Sequence, residues 1–153
     1  PTVRASAGVS LAEVTASLAL IALLLAVAVP NLLPAPELEV RVAARELVAD
    51  MGLARQLAVS GGATYVVEFR PPAGPCGPYT LYAVRRQGGP DEPDFPKALP
   101  AGVAASAPAQ VPFKPSGAVG IVGPVSVDII LCSGPATSRV RVTLATGYAR
   151  AVP

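Results

Sequence analysis

Hydrophobic and polar positions along the chain fall into three patterns. Between Val14 and Val29 no residue is charged, and Leu18 to Val29 is unbroken apolar sequence rich in Ala and Leu, both good helix formers. A helix over 9–33 would be about 36 Å long at about 1.5 Å per residue, against a bilayer hydrocarbon core of about 30 Å. The stretch is long enough for a transmembrane helix. Pro30 should kink the end of that helix, and Pro34 and Pro36 in LLPAPE should break or sharply bend it.

The second pattern is ELEVRVAARELVADMGLARQLAVSGG. Val40, Ala43 or Ala44, Leu47, Met51, Ala54 and Ala58 recur at three-to-four spacing and form one stripe, which predicts an amphipathic helix. Arg41, Arg45, Asp50 and Arg55 are expected off the stripe. Glu37 and Arg41 have the favourable i, i+4 order, and Ser60-Gly61-Gly62 should end the helix.

The third pattern is alternation. In TYVVEFR, Tyr65, Val67 and Phe69 alternate with Val66, Glu68 and Arg70; YTLYAVRR alternates similarly, so the two predict a hairpin with the turn-rich PPAGPCGP between them. RQGGPDEPDFPKALPAG reads as a loop. Its Asp91, Glu92 and Asp94 lack the later acid that a hard-cation site would need, so they are expected to be a solvated cluster. VPFKPSG then leads into the strands VSVDIILC and RVRVTLA, a TG turn and YARAV. The helix stripe needs a layer to cover. The chain is therefore expected to be α+β, with a hydrophobic N-terminal helix leading into an amphipathic helix packed on an antiparallel β-sheet.

Composition refines this picture. Of 153 residues, 52% are hydrophobic, mostly Ala and Val, so the core should be built of small side chains. The 18 Pro and 14 Gly lie between apolar runs, which points to many turns rather than disorder. A net charge of +2 is too small to imply nucleic-acid binding by itself. From Lys97 onward, however, Lys97, Lys114, Arg139, Arg141 and Arg150 face Asp128 alone. Arg139 and Arg141 share a strand face, and Arg150 follows a turn that could bring it near. These three, with Lys114, are a candidate DNA-phosphate site, set against the plainer reading of a solvated outer sheet face.

Cys76 and Cys132 make an even count, compatible with one disulfide, or with Cys132 as a small buried residue. The absence of His removes the commonest general base and metal ligand. Two distant cysteines cannot form a four-thiolate zinc site, and GAVGIVG lacks the Lys of a phosphate loop. No catalytic residue, metal site or cofactor is expected, and the chain is not expected to be an enzyme.

Glu13 remains unexplained, since a carboxylate entering an apolar helix needs a partner and 9–33 contains no Lys or Arg. Cleavage after Gly8 would supply one, the new amine of Val9. In this respect GVSLAEV resembles the processing motif of type IV pilins and type II secretion pseudopilins: Gly8, a hydrophobic residue, Ser10, Leu11, any residue, then Glu13 and an apolar helix. PTVRASAG resembles the short basic leader, and Pro30 falls where that family commonly has a helix-distorting proline. ARQLAVSGGATYVVEF, VPFKPSG and VRVTLATGYARA are similar to segments of the minor pseudopilins of the H type.

The resemblance implies a leader at 1–8, an assembly and transmembrane helix at 9–33 and a pilin-like periplasmic domain at 34–153. It also implies cleavage after Gly8 by a prepilin peptidase, N-methylation of Val9, and a register role for Glu13 beside the motif's Leu11. The expected partners are other pilin or pseudopilin subunits, an inner-membrane assembly platform and the membrane itself. The expected location is the bacterial inner membrane, single-pass, with incorporation into a secretion or pilus-like filament. Two alternatives stand beside it. One is a DNA-binding subunit of an uptake or adhesion fibre. The other is a secreted binding protein whose ordinary signal peptide ends at Ala26-Val27-Ala28.

Overall fold

The computed structural model describes residues 10–32, 36–123 and 125–152. Gly8, Val9 and Pro34 lie outside the described residues. The chain forms two compact units, Pro1–Pro34 and Ala35–Pro153. In the first, helix α1 spans Leu11–Leu32 and carries Pro30 within its last turn. Among the described residues no helix is long and apolar enough to cross a membrane.

The second unit opens with helix α2, Pro36–Gly61. Proline suits a first helical position because its missing N–H has no partner there anyway. Gly62 follows with φ 59°, the left-handed conformation that ends many helices. Val40, Ala43, Ala44, Leu47, Met51, Ala54 and Ala58 are all buried, as their spacing predicts. Asp50 departs from expectation: it is buried within the same stripe at 7% exposure.

Eight strands follow: β1 Tyr65–Arg70, β2 Leu81–Arg86, β3 Lys97–Ala98, β4 Ala104–Ser106, β5 Gln110–Phe113, β6 Ser126–Ser133, β7 Ala136–Thr143 and β8 Ala149–Val152. The expected β1–β2 hairpin forms, with Val67 opposite Val84 and Phe69 opposite Tyr82. The single sheet of the sequence reading divides into two four-stranded antiparallel sheets, β3-β2-β1-β5 and β4-β6-β7-β8. Local alternation identifies strands but carries no information about which distant strand each one meets. The 86–102 segment, expected to be loop throughout, contributes the short strand β3 against β2.

Helix α2 lies against both sheets. Its stripe meets Val67 and Phe69 of β1, Val111 and Phe113 of β5, Ile129 and Leu131 of β6, and Val140 and Val142 of β7 in one buried cluster. Four of the seven apolar stripe residues are alanines, so the helix backbone can approach the sheets closely.

Candidate functional site

Helix α1 begins at a polar cap. The Ser10 carbonyl accepts the amides of Glu13 and Val14 at 2.9 and 3.2 Å, and the Ser10 hydroxyl accepts that of Ala12 at 3.3 Å. Glu13 therefore sits in the first turn, where a carboxylate is favoured by the helix dipole. Ser10 and Glu13 have the S-x-x-E spacing of a capping box, which gives the acid a local reason as well. Ser17 Oγ donates to the Glu13 carbonyl at 2.8 Å. Leu11, beside it, is 83% exposed.

In the second unit, Cys76 and Cys132 are joined by a disulfide across a sequence separation of 56. Cys76 lies in the β1–β2 connection and Cys132 near the end of β6, so the bond ties the hairpin of one sheet to an inner strand of the other. Tyr79 of the same connection exchanges backbone hydrogen bonds with Ala105 of β4 at 2.7 and 3.3 Å.

The three candidate arginines reach one outer face of the second sheet. Arg141 is paired in register with Arg150 across β7 and β8, and Arg139 lies two residues along. Asp128 of β6 faces Arg141 and accepts from its Nε and Nη2 at 2.7 and 2.9 Å. Arg139 Nη1 is 3.6 Å from the same carboxylate. Arg141's bonds hold the Asp128 carboxyl below its ordinary range. Arg141 is thus engaged in a bidentate pair that Arg139 joins at longer range, and Arg150 is the arginine of this face with no ion pair among the described residues. Lys114 lies elsewhere, in the turn after β5, where it hydrogen-bonds through its backbone to Gly117 and Ala118.

Two polar constellations were not anticipated. Under α2, Asp50 accepts from Tyr82 Oη at 2.7 Å and from Lys97 Nζ at 2.8 and 3.0 Å. Lys97 also stands 3.4 Å from Glu46 and 5.2 Å from the centre of the Phe95 ring. Burial, then the Asp50 bond, pushes the Tyr82 hydroxyl far above its usual range, so it remains a donor. The Asp50 bond raises Lys97. The signal was present in the spacing, because Leu47, Asp50 and Ala54 continue the three-to-four rhythm of the stripe.

The other constellation lies on the outer face of the first sheet. Arg70 forks onto Asp91 at 2.7 Å through both Nη atoms and onto Glu68 at 2.7 Å. Arg85 and Gln110 also donate to Glu68, at 3.2 and 2.9 Å. Asp91 is therefore tied down, contrary to the solvated cluster expected, and no metal-holding group of acids, His or Cys occurs among the described residues. Burial raises the Glu68 carboxyl, but the donors from Arg70, Gln110 and Arg85 outweigh it and leave it below its ordinary range. Asp91 is lowered chiefly by Arg70. Depressed carboxylates contribute stability above their unfolded pKa of about 4 and lose it as pH falls through the folded value. Urea unfolding at pH 3 should therefore show a lower midpoint than at pH 7, and Arg70→Ala should flatten part of that difference.

These arrangements hold elements together; none pairs a nucleophile with a base. Comparison with known proteins agrees in kind. A family model for type II transport protein GspH matches residues 43–147, the span from mid-α2 to the β7–β8 turn. No curated protein matches the chain. Among solved structures, the Pseudomonas aeruginosa type IV minor pilin FimU is similar, with a TM-score of 0.57 and 19% identity over 75% of this chain and 89% of that one. A second crystal form of FimU gives a TM-score of 0.49 at 17% identity, over 74% and 92% of the two chains. The FimU likeness establishes a shared pilin-like fold, and the family match spans well over half of the chain: this protein belongs to the GspH family, structural subunits of the pilin type rather than enzymes.

Proposed function

We propose that the chain is a minor pseudopilin-type subunit that is cut after Gly8, methylated on Val9 and held in the inner membrane by the apolar segment 9–33 until it enters a filament. The observation that carries this reading is the placement of Gly8-Val9-Ser10-Leu11-Ala12-Glu13 across the start of that segment, in a chain of the GspH family. The two charges explain each other. A cut after Gly8 creates a cation on Val9 close to Glu13, and each subunit's carboxylate can then take the amine of its neighbour as the helices pack. A prepilin peptidase, the other filament subunits and an inner-membrane assembly platform are the partners this requires.

Expression of the full chain with a prepilin peptidase, followed by intact mass and N-terminal sequencing, tests the first step. The expected product starts at N-methylated Val9. A start at Val29 would mean an ordinary export signal and a free secreted domain. Glu13→Ala should leave processing and subunit level near normal while reducing sheared filament to a small fraction of the parent. Filament assembled at the parent level would remove the register role.

A further inference from the structure

Strand β8 is an edge of its sheet, and its surroundings differ from those of the β4 and β5 edges. The β4 edge is covered by Tyr79, and β5 is folded over by its own return, in which Phe113 pairs with Val119. β8 pairs with β7 on one side, and among the described residues no strand pairs with the other. Thr143 N–H donates to the Tyr148 carbonyl at 2.9 Å. Antiparallel alternation from that pair makes Arg141 and Arg150 the next bonded pair and turns the N–H and C=O of Ala149 and Ala151 away from β7. Ala149 is buried and Ala151 is exposed, so the accessible part of the edge centres on Ala151.

Cations stand on both sides of this edge. A cleft of about 340 Å³ opens on its α2 side, lined by Arg41, Arg45, Thr137, Ser138, Ala151 and Val152. On the outer side are Arg150 and Arg139. Among the described residues no ion pair involves Arg41, Arg45 or Arg150. Glu37, one turn before Arg41 on the same helix, forms no ion pair with it among the described residues.

We propose that the β8 edge with its flanking arginines receives an extended acidic segment of a partner protein, added as a further antiparallel or parallel strand. Side chains of such a segment alternate between the two faces of the sheet. Acidic residues at alternate positions would then meet Arg41 and Arg45 on the α2 face, while its backbone pairs with Ala151. The outward N–H and C=O favour a peptide over a nucleic acid, which offers phosphates but no backbone ladder.

The test uses the full chain in detergent and a fluorescent peptide of alternating Glu and Val, read by anisotropy. The expected result is saturable binding that is absent for the Lys–Val counterpart and weakened about tenfold or more by Arg41→Glu with Arg45→Glu. N-methylation of the acidic peptide at alternate residues, in one phase, should abolish binding without touching the protein. Ala151→Pro should do the same while leaving thermal unfolding near the parent, because an edge position whose N–H faces outward tolerates proline. Lack of peptide binding, or equal binding by both N-methylated phases and by Ala151→Pro, would overturn strand addition. Displacement of the peptide by a short DNA duplex that itself binds Ala151→Pro at parent affinity would assign the cations to nucleic acid and overturn it as well.

Discussion

Reduction of the Cys76–Cys132 bond should lower the stability of the second unit by about 4 kcal/mol, the loop-entropy value for a bridge closing a loop of this size. The bridge anchors a connection that contains Pro71, Pro72, Pro75 and Pro78 and has no strand of its own between Arg70 and Leu81. Without it, the unfolded chain gains freedom, and the folded connection keeps the Tyr79–Ala105 bonds and the Thr80 hydroxyl bond to the Pro72 carbonyl as its local ties. Urea titrations with and without a reductant would measure the difference. A Cys76→Ser with Cys132→Ser variant should match the reduced parent. A midpoint unchanged by reduction would show that the connection is held mainly by those local bonds.

Asp50→Ala should cost about 3 kcal/mol, because truncating one member of a buried charged pair strands its partners. Two groups lose their acceptor at once, the Tyr82 hydroxyl and the Lys97 ammonium. Tyr82 is 2% exposed and cannot turn to water, whereas the Lys97 side chain is 29% exposed and can swing outward, which keeps the figure from being larger. Lys97→Met should therefore cost less than Asp50→Ala, and Tyr82→Phe less again, since each leaves Asp50 with one remaining donor. Thermal or urea unfolding of the three variants gives the order. An Asp50→Ala variant as stable as the parent would mean that water replaces the carboxylate beneath the helix.

How far the sequence could be read follows from which interactions are local. The α2 stripe, the glycine that ends it and the β1–β2 hairpin all depend on residues a few positions apart, and they emerge as expected. The division into two sheets does not, since β5 pairs with β1 across some forty intervening positions and β4 pairs with β6 across the β5 segment. Asp50 was misplaced because an acid was assigned to the solvent side by its type, although its spacing put it with Leu47 and Ala54. Asp91 departs from the expected solvated cluster for a related reason: its partner, Arg70, lies at the end of β1, 21 positions away. Strand alternation puts Arg139 and Arg141 on one face, but it carries no information that Asp128 faces Arg141 or that Arg150 is its partner across β8. For the leader the local motif is the whole argument, and Gly8 and Val9 fall outside the described residues.

The order in which the chain visits its two sheets bears on how the unit forms during synthesis. After β3 the chain crosses to the second sheet for β4, returns to the first for β5, and crosses again for β6, β7 and β8. No contiguous stretch can complete either sheet before the crossing segments arrive. Helix α2 emerges first, and much of the surface that covers its apolar stripe belongs to β6, β7 and β8, the last strands to follow. A partly synthesised chain therefore carries an uncovered apolar helix next to unfinished sheets, a state prone to aggregation and dependent on late, long-range pairing. Closure of this domain is coupled to delivery of its final strands, which makes the interval before their arrival the one in which a chaperone would have to shield the helix.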